Sequence, residues 1–329
     1  MNVGSTWVLT DKVLGHARAS LSVATLVGNT AQEKPIFYNR LAHIPGATGP
    51  YFLFGLDQQK SASLTQPWPK LIIASGSQLG RVARTIKRQA AREGCVVRLL
   101  QINDPVYGRE DFDLIITPAH DQISGANILS IIGTPTLYSQ DELAASTKKW
   151  MPKLAHLKTP FVSLFIGGDV GRRKFSNEDA RELGRLASTY ASEMGASLLI
   201  SNSRRTSAET YQTLLSAITI PFYAHHWSSQ GDNPYFAFLN LSSAFIVTGD
   251  SISMCSDVCT LGKPLLIHAA PSITKDKFKT FHDQLYALKA ALPLASASGS
   301  HIEAIETPDI VRNPLRVIAD EMTRRGLLA

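Results

Sequence analysis

Cysteine is scarce in this chain, with only Cys95, Cys255 and Cys259 among 329 residues. Three thiols cannot form a disulfide framework, and their spacing matches no metal site. They read as buried thiols of a reducing compartment, which places the protein in the cytoplasm. Long apolar runs are missing too: none reaches the ~18 residues expected of a membrane-spanning helix. The opening MNVGSTWVLTDK has no basic segment followed by a long apolar one, so it reads as a first strand and not as a signal peptide. GxGxxG, Walker, GxSxG and HExxH signatures are absent, which argues against common dehydrogenases, NTPases, serine hydrolases and zinc proteases. No RNP motif, zinc-finger spacing or leucine zipper points to nucleic acid. Neither a metal nor a resident cofactor is expected.

What is present is ordinary globular composition, 44% hydrophobic and 18% charged, in a chain long enough for two cores. A net charge of +6 favours anionic partners such as nucleotides or phospholipid headgroups, or simply a soluble basic surface. Short apolar runs alternate with helical segments throughout, the pattern of parallel sheets flanked by helices, so the fold class is α/β. Strands are predicted over 7–10, 70–74, 96–101 and 112–117, with a short one at 128–132. The spacing predicts a helix over 76–93 that buries Leu79, Val82, Ala83, Ile86 and Ala90. Its other face carries Arg81, Arg84 and Arg88, a solvated stripe or a contact for an anionic membrane surface.

Few strand signals occur between Asp141 and Pro160, and the domain boundary is placed there, giving domains 1–150 and 151–329. The second domain opens on an apolar strand at 161–166. Asn177 then caps a helix whose Leu183, Leu186, Ala187, Tyr190, Ala191 and Met194 form one stripe, closed by Gly195. Strands at 197–201, 221–225, 245–248 and 264–267 and helices at 207–217 and 235–241 follow. The last helix takes Asn313 as cap and Pro314 at its first position, and it is able to pack back on the first domain. Ala- and Ser-rich 290–300 reads as a loop or frayed helix end.

Ligands of open α/β sheets sit at carboxyl ends of strands, where helix N-termini offer free N–H groups. Four strand ends carry informative residues. Thr248-Gly249-Asp250-Ser251 joins a strand to a helix closed by Gly262, with Ser251, Ser253 and the turn amides suited to phosphate and Asp257 to a ribose. Gly167-Gly168-Asp169 lets backbone approach a ligand closely. Ser201-Asn202-Ser203-Arg204-Arg205-Thr206 brings arginines suited to bidentate phosphate contact. In the first domain, Asp11 or His16 of the loop after strand one is a candidate general base for an acceptor hydroxyl. Each motif alone also fits an ordinary turn or helix cap.

In chain order, WVLTDKVLGH, ASGSQLGRVA, FDLIITPAHD, FIGGD, SNSRRT, NPYFAFL and VTGDSISMCSDVCTLGKP resemble the mitochondrial-fission ELM family over nearly the whole chain. That resemblance implies a GT-B-like architecture: two Rossmann-like domains facing a cleft, acceptor on the N-terminal side and nucleotide sugar on the C-terminal side. It implies donor contacts from Gly167, Gly168, Ser203, Arg204, Arg205, Thr248, Asp250, Ser251, Ser253, Met254 and Asp257, with Asp11 and His16 catalytic. The expected activity is metal-independent glycosyl transfer from a nucleotide-diphospho-sugar, in bacterial cell-envelope glycan or lipid metabolism. The enzyme would be cytoplasmic, with a peripheral place at the inner membrane. The alternative is a non-catalytic scaffold of the same fold that binds a membrane or a division-related protein. Two departures stand out: the Asp11 loop ends differently from the family's, and Asp257 replaces its usual glutamate.

Overall fold

This computed structural model describes residues 5–39, 55–299 and 305–328. The chain divides into two compact units, Met1–Leu137 together with Asn313–Ala329, and Tyr138–Arg312. In the first unit, β1 (Thr6–Thr10), α1 (Leu14–Ala24), β2 (Ala31–Pro35), β3 (Leu71–Ser75), α2 (Ser77–Arg92), β4 (Arg98–Ile102), β5 (Leu114–Pro118) and β6 (Ile128–Ile131) follow in order. The six strands pair in the order β2-β1-β3-β4-β5-β6, all parallel. Both faces are covered. Trp7, Leu9, Ile72, Ala74 and Leu99 lie in one apolar cluster with the α2 stripe Leu79, Val82, Ala83, Ile86 and Ala90. Their neighbours Val8, Leu71, Ile73 and Leu100 lie in the cluster on the other face. Such strands show no alternation because neither face meets water.

Strand β2 was not foreseen. Its sequence AQEKP is polar and mostly exposed, as an edge strand tolerates, and it carries no apolar signal. Helix α1 was not foreseen either: the segment 10–16 reads as a loop, yet the helix starts at Leu14 and takes in Gly15 and His16.

The second unit contains α3 (Gln140–Leu154), β7 (Phe161–Gly168), α4 (Asn177–Glu193), β8 (Ser197–Arg205), α5 (Ala208–Ser216), β9 (Phe222–His225) and α6 (Tyr235–Leu241). It continues with β10 (Ala244–Thr248), α7 (Ile252–Thr260), β11 (Leu265–His268), α8 (Asp276–Ala287), β12 (Leu292–Pro293) and α9 (Asp309–Arg312). Its parallel sheet runs β12-β11-β10-β7-β8-β9. Position 150 falls inside α3, whose capping box is built by Ser139 and Glu142, and Trp150 packs edge-on to Tyr223 and His225. Ser176, not Asn177, caps α4: its hydroxyl accepts from the Asp179 amide at 3.0 Å, and Asn177 is already helical. The 290–300 segment holds β12 and a 3-10 turn at Leu294–Ser296 instead of plain loop, with position 300 outside the described residues. Cys95 is exposed, contrary to the sequence expectation, whereas Cys255 and Cys259 are buried.

Helix α10 (Pro314–Arg324) closes the chain on the first unit. Ile318 and Met322 join the cluster around Val8 and Ile73, and the Arg325 side chain reaches the carbonyls of Asp113 and Ala126. Among the described residues, no helix is long and apolar enough to cross a membrane.

Candidate functional site

In the second unit, the sheet order sets the carboxyl ends of β10, β7 and β8 side by side. Gly167 is the hub. Its N–H donates to Thr248 Oγ1 at 2.7 Å, and its carbonyl accepts from the hydroxyls of Ser203 and Thr206. Three of the predicted segments therefore converge on one residue. Gly168 follows at φ 120°, its backbone pressed against that of Arg205 and Thr206. The Asp169 amide donates to the Arg205 carbonyl at 2.9 Å.

The two arginines differ. Arg205 Nη1 donates to Asp250 Oδ2 at 2.6 Å and to the Asp169 carbonyl at 3.1 Å. Arg204 is exposed and makes no hydrogen bond or ion pair among the described residues. Burial raises the Asp250 carboxyl above the ordinary aspartate range, and Arg205 only partly opposes this, being itself open to solvent. Burial would raise Asp169 too, but Lys174 and the Phe175 amide outweigh it and hold that carboxyl low.

Helix α7 begins beside this hub. Ser251 occupies its cap position without a side-chain cap bond, and it is buried; Ser253 is exposed and Met254 half-buried. The first amides of the helix are thus available to an acceptor, with the helix dipole favouring an anion. Asp257 lies deeper, where its Oδ2 accepts from the Tyr235 hydroxyl at 2.7 Å. This bond was not legible in sequence, because the partner comes from a different helix. Burial pushes the neighbouring thiols up, Cys259 to about 12. Among the described residues no cluster of three His, Cys, Asp or Glu side chains is arranged to hold a metal ion.

Two histidines missed by the sequence reading support this corner. His282 of α8 donates through Nε2 to the Gly249 carbonyl at 2.8 Å, and a Cβ at Gly249 would fall 2.4 Å from its ring. His268 ends β11 beside Thr248. Burial lowers the pKa of both, and of His225, below the ordinary value of 6.5. A lowered histidine pKa contributes stability that is complete above the unfolded value and lost as pH falls below it. Asp250 acts in the opposite sense, one carboxyl against three imidazoles. Tm is expected to drop by several degrees between pH 7.5 and pH 5, and His282→Asn should flatten that slope; a Tm flat over this range would contradict the buried-neutral assignment.

In the first unit, Asp11 and His16 are neighbours. Asp11 Oδ1 accepts from the Val13 amide at 2.9 Å, while Oδ2 stands 3.8 Å from His16 Nδ1, beyond direct hydrogen bonding. The His16 ring lies on Gly76, where a Cβ would approach it to 2.6 Å. The loop Ser75-Gly76-Ser77 is thereby tied to the same place. The basic stripe of α2 is partly neutralised: Asp111 pairs with Arg84 at 2.5 Å and Arg88 at 3.2 Å, and Arg81 lies over the Tyr107 ring.

Two six-stranded parallel sheets flanked by helices make this a protein of the GT-B-like fold. Solved structures agree on the fold. The UDP-GlcNAc 2-epimerase of Methanocaldococcus jannaschii superposes with TM-score 0.54 at 10% identity, covering 97% of this chain and 99% of that one. The Neisseria meningitidis UDP-GlcNAc 2-epimerase bound to UDP-GlcNAc gives 0.52 at 12% identity, with 97% and 100% covered. The chain belongs to the mitochondrial fission ELM1 family, whose sequence profile matches residues 15–325. An uncharacterized protein of Rickettsia prowazekii is 25% identical over 320 residues, 87% of this chain and 89% of that one. The mitochondrial fission protein ELM1 of Arabidopsis thaliana is 27% identical over 225 residues, 61% of this chain and 52% of its own length.

Proposed function

We propose that this protein is a GT-B-like glycosyltransferase whose second unit holds a nucleotide-diphospho-sugar. The carrying observation is the convergence of three strand ends on Gly167, beside exposed Arg204 and the uncapped start of α7. Backbone N–H groups and arginine there suit a diphosphate, and stabilising its growing charge is what a leaving nucleotide requires. The epimerase from Neisseria was crystallised with such a ligand, which supports the class of substrate. Asp11 or His16 of the first unit would take the acceptor's proton. Cell-envelope glycan or lipid metabolism is the setting this chemistry serves, in the cytoplasm or at the inner membrane.

A thermal-shift screen against UDP-, GDP-, ADP-, CMP- and dTDP-linked sugars tests this. A donor at ~100 times its Kd adds about 2.7 kcal/mol of stability. Arg204→Ala should weaken that donor about ten- to hundredfold, as loss of a charge-assisted phosphate contact does. No shift with any sugar nucleotide would turn the assignment to the second reading, a GT-B-like scaffold for a membrane or division-related protein. That reading draws on the internal pairing of Arg205 with Asp250 and of Asp257 with Tyr235, which engages Arg205 and Asp257 without a ligand.

A further inference from the structure

Gly167 leaves room for a close approach, and that room is already taken. A Cβ placed there would fall 2.1 Å from Asp250 Oδ2 and 2.6 Å from Oδ1. The Asp250 side chain is wholly covered, while Arg205 keeps 38% of its side-chain surface exposed. One carboxylate oxygen binds Arg205; the other is buried and, among the described residues, makes no well-formed hydrogen bond, although the Thr248 side chain and the Asp250 amide favour the charged form. A buried carboxylate left half-satisfied is a costly arrangement. It also cancels the charge of the arginine that stands at the end of β8, so the chain supplies its own anion where a ligand's is expected.

We propose that Asp250 is a built-in rival for the ligand's phosphate: it holds Arg205 in the free protein, and a bound phosphate takes Arg205 over while the Asp250 carboxyl accepts one proton from solvent. Arg205 keeps its charge throughout, so the exchange is one anion for another plus the proton that neutralises the displaced carboxylate. This inference rests on the nucleotide reading above. The other groups around this corner are not placed to supply that proton. Asp169 is engaged by Lys174, Cys255 is a buried thiol pushed up, and His268 and His282 are kept neutral by burial. The raised carboxyl of Asp250 agrees with the exchange.

Isothermal titration calorimetry with UDP, GDP, ADP, CDP and dTDP tests it, in two buffers of different ionisation enthalpy. Wild type is compared with Asp250→Asn, which keeps the shape and an acceptor for Arg205, and with Asp250→Ala, which keeps neither. Both variants should bind the preferred diphosphate about tenfold or more tightly, a gain matching the removal of one close like charge. Proton uptake on binding should appear in wild type and vanish in Asp250→Asn. Equal or weaker binding by Asp250→Asn overturns the proposal, since Asp250 would then merely position Arg205; so does proton uptake that persists in the variant. If Asp250→Ala does not fold, Asp250→Asn decides alone. Absence of binding by wild type and variants alike overturns the nucleotide reading as well. Loss of binding in Arg204→Ala with no change in Asp250→Asn overturns only this inference.

Discussion

Gly168→Ala is expected to lower Tm by roughly 5–20 °C, the equivalent of about 2–6 kcal/mol for a domain of this size. Two penalties combine. At φ 120° any L side chain is strained, at about 1–3 kcal/mol. The added Cβ would also lie 2.5 Å from the carbonyl carbon and oxygen of Arg205 and 2.7 Å from the Thr206 amide nitrogen. Those are backbone atoms of a strand end held by the bond from Asp169 N–H, so they cannot turn aside as a side-chain tip would; overpacking adds about 1–3 kcal/mol. Gly15→Ala serves as the control, because nothing lies within 4 Å of a Cβ there. Thermal denaturation followed by far-UV circular dichroism would check both, and a Gly168→Ala Tm within a degree or two of wild type would refute the argument.

Lys263→Met should also be strongly destabilising, costing about 2–4 kcal/mol. The Lys263 ammonium donates to the carbonyls of Leu239, Asn240 and Ser242 at 2.8, 2.7 and 2.9 Å, gathering the unsatisfied end of α6. Methionine retains the apolar stem but strands all three acceptors. Burial alone pulls this lysine down to about 8, while three carbonyl acceptors act to keep it protonated. At pH 7 both effects leave it charged, and the capping argument holds. Urea denaturation at pH 7 would measure the loss; an unchanged midpoint would show that water replaces the three bonds at no cost.

Legibility followed burial and locality. Helix α6 was read at its observed limits, and the α2 stripe of Leu79, Val82, Ala83, Ile86 and Ala90 is buried as read, because an apolar period of 3.6 survives in one short segment. The polar edge strand β2 left no such trace. The cap of α4 was placed one residue late, since Ser176 and Asn177 are both good caps and only the Ser176–Asp179 bond distinguishes them. Within the candidate site, Gly167, Gly168, Ser203, Thr248 and Asp250 were recognisable as polar or glycine strand ends. What those residues do to one another was not.

The sequence by itself determined the α/β class, the parallel sheets and the family, since these rest on patterns carried within short stretches of chain. Only the tertiary structure decided that Asp250 faces Arg205, that Asp257 faces Tyr235, and that Asp111 takes two arginines of the α2 stripe. It likewise decided that His282 supports Gly249 and that, among the described residues, Arg204 and not Arg205 stands without a counter-ion. The reason is physical. Secondary structure follows from the periodicity of burial along the chain, whereas the charge available at a site depends on partners tens of residues away, brought together only when the strands align.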